Sequence, residues 1–144
     1  MNTIDELLSE GLEHHKAGRF ELAKENYSRV LRSDSYNSEA LHFLGLLSHQ
    51  IGEQQHAITL IKRAITNNPK VAKYHGNLGS ALNAFGRPEE ALACYNTARK
   101  LDPTDAGFPY NAGTVFFSMG QIEQAGKIYF GRLYGYVQTM RKRG

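Results

Sequence analysis

Six histidines (His14, His15, His42, His49, His56 and His75) and one cysteine, Cys94, are the side chains of this 144-residue chain best suited to metal or nucleophilic chemistry. A zinc site needs several such ligands converging on one point. His14 and His15 are neighbours and diverge on a helix, while His42 and His49 stand two helical turns apart. No HExxH run and no CxxC pair occurs, so no metal and no cofactor is expected. Cys94 adjoins Tyr95 in a helical pattern and is expected as a small packed side chain rather than a nucleophile. Nothing in the sequence fixes a serine, a histidine and an aspartate together. No GxxxxGK(S/T) or GxGxxG follows a strand, and no strand is expected at all. The chain offers no catalytic residue and is expected not to be an enzyme.

The elements that carry these side chains are legible from residues 78–103. Apolar residues recur there at helical spacing, first as Leu78, Ala81, Leu82 and Phe85, then as Ala91, Leu92, Tyr95, Ala98 and Leu101. Gly86 follows Phe85, where a left-handed residue ends a helix. Pro88 suits the first turn of the next helix, and Glu89-Glu90 suit its positive end. Asp102-Pro103 stops the second helix, because the residue before proline disfavours the α conformation.

The same punctuation returns every 34 residues. Gly11, Gly45, Gly79 and Gly113 form one column, Gly18, Gly52, Gly86 and Gly120 a second, and Ala23, Ala57, Ala91 and Ala125 a third. Tyr27, Ile61, Tyr95 and Tyr129 align as well, as do Val30, Ala64 and Ala98, and Pro69 and Pro103. A fixed period in four copies means an array, with bounds 4–37, 38–71, 72–105 and 106–139 and a basic tail at 140–144. Small residues at Gly79 and Ala91 allow two antiparallel helices to cross closely. One short pair buries too little apolar surface alone, so copies must stack.

Composition narrows the function classes. Hydrophobic residues make up 41% and charged residues 22% of a chain with net charge +3, which fits a folded soluble domain and gives no reason to expect nucleic acid. No apolar run approaches the roughly 20 residues of a membrane span, and no secretory signal opens the chain. A lone cysteine fits a reducing, cytoplasmic setting. Residues 4–37 hold seven acids and five bases, whereas Lys127, Arg132, Arg141, Lys142 and Arg143 face no acid after residue 127.

The pattern resembles the tetratricopeptide repeat, a 34-residue helix–turn–helix unit. Residues 72–105 carry its signature in Leu78-Gly79, Gly86, Ala91, Tyr95, Ala98 and Asp102-Pro103. Residues 38–71 match through Leu41, Leu44-Gly45, Gly52, Ala57, Ile61, Ala64 and Pro69, and residues 4–37 through Leu7, Gly11, Gly18, Ala23 and Tyr27. Glu10 stands where a leucine is usual, as a terminal copy with one wet face allows. Thr3-Ile4-Asp5-Glu6 reads as a capping box. In the fourth copy Pro109 should delay the first helix to about Phe108. Arg132 replaces an alanine there, and Gly126, Gly131 and Gly135 weaken the helical pattern. Tyr129, Phe130, Leu133, Tyr134, Tyr136, Val137 and Met140 leave that end apolar.

The resemblance implies an all-α, right-handed superhelical array that binds a protein or peptide along its concave side, with neither nucleic acid nor membrane as partner. The family's groove positions fall on Leu8, Leu12, His15, His42, Phe43, Leu46, His49, Lys73, Asn77, Ser80, Asn83, Tyr110, Asn111, Thr114 and Phe117. Phe43, Leu46, Tyr110 and Phe117 are expected to take apolar anchors, and Asn77 and Asn111 to bond a ligand's main chain without affecting stability. For Leu8, Leu12 and Leu46, plain packing between copies is an equal alternative. Lys73, Asn77 and Asn111 match two parts of the family's carboxylate clamp, whose third part falls at Arg141, so a complete clamp is not expected. The two asparagines also resemble the ladder of O-linked N-acetylglucosamine transferases, which makes a recruiting segment of a larger enzyme a second reading. Self-assembly into a homo-oligomer through the apolar C-terminal segment is a third. His75 falls in a core position and is expected as a packed imidazole with one hydrogen-bond partner.

Overall fold

The computed structural model describes residues 2–121 together with Gln124, Lys127 and Arg143. Seven helices follow one another: α1 (Ile4–Lys16), α2 (Phe20–Ser33), α3 (Ser38–Gln50), α4 (Gln54–Asn67), α5 (Ala72–Ala84), α6 (Pro88–Leu101) and α7 (Gly107–Ser118). No strand occurs among the described residues. The expected helix-bearing fold class is therefore observed, and its stops are the ones the sequence marks.

The caps are local chemistry. Thr3 Oγ1 accepts the Glu6 N–H at 3.2 Å while Glu6 Oε2 accepts the Thr3 N–H at 3.0 Å, a reciprocal box that opens α1. Pro88 stands in the first turn of α6, where its missing N–H costs nothing. Gly86, at φ 83°, lets its own N–H reach Asn83 O at 3.1 Å and the Arg87 N–H reach Leu82 O at 2.9 Å, closing the end of α5. Gly18, Gly52 and Gly120 repeat that left-handed backbone. α7 starts at Gly107, one residue before Phe108, so Pro109 sits within its first turn.

Small residues meet large ones across each pair. A Cβ on Gly11 would lie 2.6 Å from the Tyr27 ring, on Gly45 2.6 Å from Ile61 Cγ1, and on Gly79 2.8 Å from the Tyr95 ring. Two columns of the sequence thus touch each other, three times over. Ala23, Ala57, Ala91 and Ala98 have no exposed surface. The Ala91 carbonyl would also stand 3.1 Å from a Cβ on Gly79. Replacing Ala91 with leucine is therefore expected to cost about 1–3 kcal/mol by forcing α5 and α6 apart. Urea denaturation checks this, and an unchanged midpoint would mean that the crossing tolerates a wider gap.

The core runs through all the pairs. One cluster holds Leu7, Leu8, Ala23, Tyr27, Val30 and Ala40. A larger one runs from Leu41 and Ile61 to Leu82, Tyr95 and Val115. Leu31 and Leu44 pack against both and join them. Among the described residues each helix touches only the next helix and, for the odd-numbered ones, the next but one. α1 meets α3, α3 meets α5 and α5 meets α7, whereas α2 and α4, or α4 and α6, do not meet. The odd helices therefore form the tighter, inner layer of an α-solenoid. At the open N-terminal face Glu10 is exposed and accepts Asn26 Nδ2 at 3.3 Å. A polar dressing covers the side where other copies place leucine.

Two places depart from the sequence pattern. His75 is not a core imidazole: it is half-buried, with Nε2 2.8 Å from the Pro69 carbonyl. The single expected partner is present, but the core place belongs to Tyr74, one residue earlier. Phe108 likewise goes to the core in place of Pro109, and its ring fills the space above Gly76, where an added Cβ would collide with it. The large side chain has shifted by one residue in both later copies. The readings that fall on Ala125, Gly126, Tyr129, Gly131, Arg132, Gly135 and Arg141, on the 140–144 tail apart from Arg143, and on self-association through the apolar end lie outside the described residues.

Candidate functional site

The inner layer carries every groove position named from the sequence, and the structure sorts them by depth. Leu8 is buried in the N-terminal cluster, and Leu12 and Leu46 are half-buried. His15 and His42 are buried, at 8% and 5% exposure. Lys73 is exposed, while Asn77, Ser80, Asn83 and Asn111 are half-buried. Tyr110 and Phe117, two turns apart on α7, are 63% and 62% exposed with Thr114 between them. The open apolar surface therefore gathers on α7, beside the amides of α5.

A run of rings stiffens the wall from α1 to α5. His15 meets the Phe20 ring edge-on at 5.9 Å and the Tyr27 ring at 6.1 Å. Tyr27 stacks on Phe43 at 5.6 Å, Phe43 meets His42 at 5.4 Å, and His42 lies 4.5 Å from the Tyr74 ring. Phe43 is half-buried within this run, so its inner face is committed to packing. Burial pushes the Tyr27 phenol up to about 12.

Imidazoles bridge the helices at three points. His15 Nδ1 contacts Tyr27 Oη at 3.3 Å, and its Nε2 bonds Gln50 Oε1 of α3. His42 Nε2 stands 2.7 Å from Asn77 Nδ2 of α5. His49 Nδ1 bonds Gln54 Oε1 at 2.6 Å, while Gln54 Nε2 donates back to the His49 carbonyl at 3.2 Å. His49 is thus occupied in joining α3 to α4. Burial, then the Lys73 ammonium and His15, hold the His42 imidazole down at about 4. It is neutral at pH 7 and can accept a hydrogen bond.

The sequence reading missed these bridges. His15 pairs with Gln50 and His42 with Asn77, both at a separation of 35, one more than the period. That spacing brings residues of consecutive inner helices together, and it was available in the sequence. Applied to Asn111 it gives Gly76, which has no side chain and is covered by Phe108. Asn111 accordingly has no imidazole beside it.

No group of three histidine, cysteine, aspartate or glutamate side chains gathers among the described residues. Cys94 is half-buried on α6, and burial raises its thiol, the reverse of an activated nucleophile. A cavity of about 250 Å³ opens between α6 and α7, lined by Leu92, Tyr95, Phe108, Ala112 and Phe116. None of the groove positions Tyr110, Asn111, Thr114 and Phe117 lines it. No helix among the described residues is long and apolar enough to cross a membrane.

Two tetratricopeptide repeat family models match, over residues 8–72 and 72–105. The chain is 28% identical over 102 residues to the TPR repeat-containing thioredoxin TTL4 of Arabidopsis thaliana. It is also 28% identical over 101 residues to the small glutamine-rich tetratricopeptide repeat-containing protein 2 of Mycosarcoma maydis. These matches take in 71% and 70% of this chain but only 15% and 29% of those proteins. Among solved structures, an O-GlcNAc transferase of Thermobaculum terrenum superposes with TM-score 0.77 at 34% identity, over 81% of this chain and 23% of that one. MamA superposes with TM-score 0.82 at 24% identity, over 97% of this chain and 82% of its own.

Proposed function

We propose, from the premise that this chain belongs to the tetratricopeptide repeat family, that it is a non-catalytic scaffold whose inner wall holds an extended peptide or partner segment. Proteins of this family generally mediate protein–protein interactions. The four-copy division at 4–37, 38–71, 72–105 and 106–139 belongs to the same proposal. The observation that carries it is the inner face of α5 and α7. Exposed Tyr110 and Phe117 offer apolar anchorage there, beside the half-buried amides of Asn77 and Asn111. Half-buried amides spaced along a wall suit a main chain, which offers alternating donors and acceptors. Lys73 stands one turn from Asn77 and adds a cation at the rim. Leu12 and Leu46 form the apolar floor further along, and His42, Phe43 and His49 act from behind it.

The test is a peptide selected from a random library on the wild-type chain, with its affinity then measured on variants. Asn111→Ala is expected to weaken binding about tenfold, or 1.4 kcal/mol, and to leave the melting temperature unchanged, because Asn111 bonds no protein group among the described residues. Asn77→Ala is expected to weaken binding and also to lower stability by about 1 kcal/mol, because it deprives His42 of its partner. Unaltered affinity in both variants would remove the amides from the site.

Similarity to part of a transferase favours one further reading, a segment that recruits substrates for a larger enzyme. In that case the gene encodes a catalytic domain beside these repeats, and sequencing the flanking coding region decides it.

A further inference from the structure

We propose that His42 is a positioning residue: through its bond to Asn77 it fixes which edge of that amide the groove presents, making Asn77 an acceptor towards a ligand's N–H. His42 is buried between the Phe43 and Tyr74 rings, and among the described residues its one hydrogen-bond partner is Asn77 Nδ2. A bond between two nitrogens needs one to donate and the other to accept. A neutral imidazole protonated on Nδ1 accepts at Nε2, and the amide N–H donates. Asn77 Oδ1 then points away from His42. It bonds no protein group, and no buried side-chain oxygen or nitrogen lacks a partner among the described residues. Oδ1 therefore lies open to solvent at the inner wall.

The arrangement is specific to this amide. At Asn111 the residue 35 positions earlier is Gly76, so among the described residues no imidazole acceptor holds that side chain. Asn77 is thus a fixed acceptor and Asn111 an adaptable group, and only the first is tied to protonation. A protonated His42 carries a hydrogen on Nε2 and cannot accept, so the Asn77 amide must turn over and show its NH₂ edge to the groove. The charged and titratable groups facing His42 are Lys73 and Tyr74 from α5, His15 from α1 and, through Phe43, Tyr27 from α2. None is a carboxylate, so no described neighbour favours the imidazolium.

The consequence for ligands rests on the groove reading above, but the orientation itself can be measured on the free chain. Uniformly ¹⁵N-labelled full-length protein is examined by NMR for scalar coupling between Asn77 Nδ2 and His42 Nε2 across the hydrogen bond, from pH 7.5 down to 3.5. Coupling at pH 7.5, lost as His42 protonates with a midpoint near 4, is the expected result. Lys73→Gln, an exposed change that leaves the core intact, is expected to shift that midpoint upward. A hydrogen on Nε2 at pH 7.5, or a His42 midpoint of 6 or above with the Asn77 resonances unmoved, overturns the proposal. The selected peptide is then compared with versions N-methylated one residue at a time. Loss of affinity at one methylated position in wild type, absent in Asn77→Ala, supports the acceptor role. If the coupling is present but no position is sensitive, the orientation stands and the groove reading fails.

Discussion

Truncating Tyr27 to alanine should remove about 3–5 kcal/mol of stability, the largest loss expected from any single side chain in the first two helix pairs. Tyr27 has no exposed surface, covers Gly11, stacks on Phe43 and reaches His15 with its hydroxyl. It therefore touches α1 and α3 from its place on α2, and its removal leaves a void that the rigid ring run cannot close. Tyr27→Phe separates the contributions: it keeps the ring, and about 1 kcal/mol is expected for the lost hydroxyl contact. Urea unfolding of both variants measures this. A Tyr27→Ala loss no larger than that of Tyr27→Phe would show that the ring contributes little, against its burial.

Acid should produce the second large effect. His42 sits at about 4 in the folded chain against an ordinary 6.5. The folded state therefore binds fewer protons than the unfolded chain between those values. Stability is whole above pH 6.5, declines as the pH falls towards 4, and loses no more from this residue below that. The displacement corresponds to about 3 kcal/mol at 1.36 kcal/mol per unit. Carboxylates also titrate near the lower end, so the informative quantity is the difference between wild type and His42→Gln, a variant that keeps an acceptor and has no proton to gain. That difference is expected to shrink steadily from pH 6.5 to 4. A constant difference would place the His42 pKa in the folded chain at its ordinary value.

Much of this molecule was legible because its rules are local or periodic. The stops at Gly86 and Asp102, the capping box at Thr3, and the contact of the Gly79 column with the Tyr95 column all follow from spacing along one chain. His75 misled because the 34-residue alignment carries a column forward without asking which neighbour is bulkier. Tyr74 and Phe108 are large enough to take the core from the next position, and Gly76 is there to receive Phe108. The site was less legible still. Asn77 stood out as an amide in a groove column, but its partner lies on a different helix, and histidine belongs to no motif of the array. A search for polar pairs one residue beyond the period would have found His15 with Gln50 and His42 with Asn77 together.

The neighbours-only contact pattern has a mechanical side. Pulling on residues 4 and 118 loads the seven helices between them in series, because among the described residues no strand or distant loop clamps the first helix to the last. Extension should accordingly proceed by peeling, one pair at a time and at modest force, with each released pair able to snap back onto its neighbour's exposed template. The same topology keeps loop-closure distances short, so refolding from the stretched state should be quick.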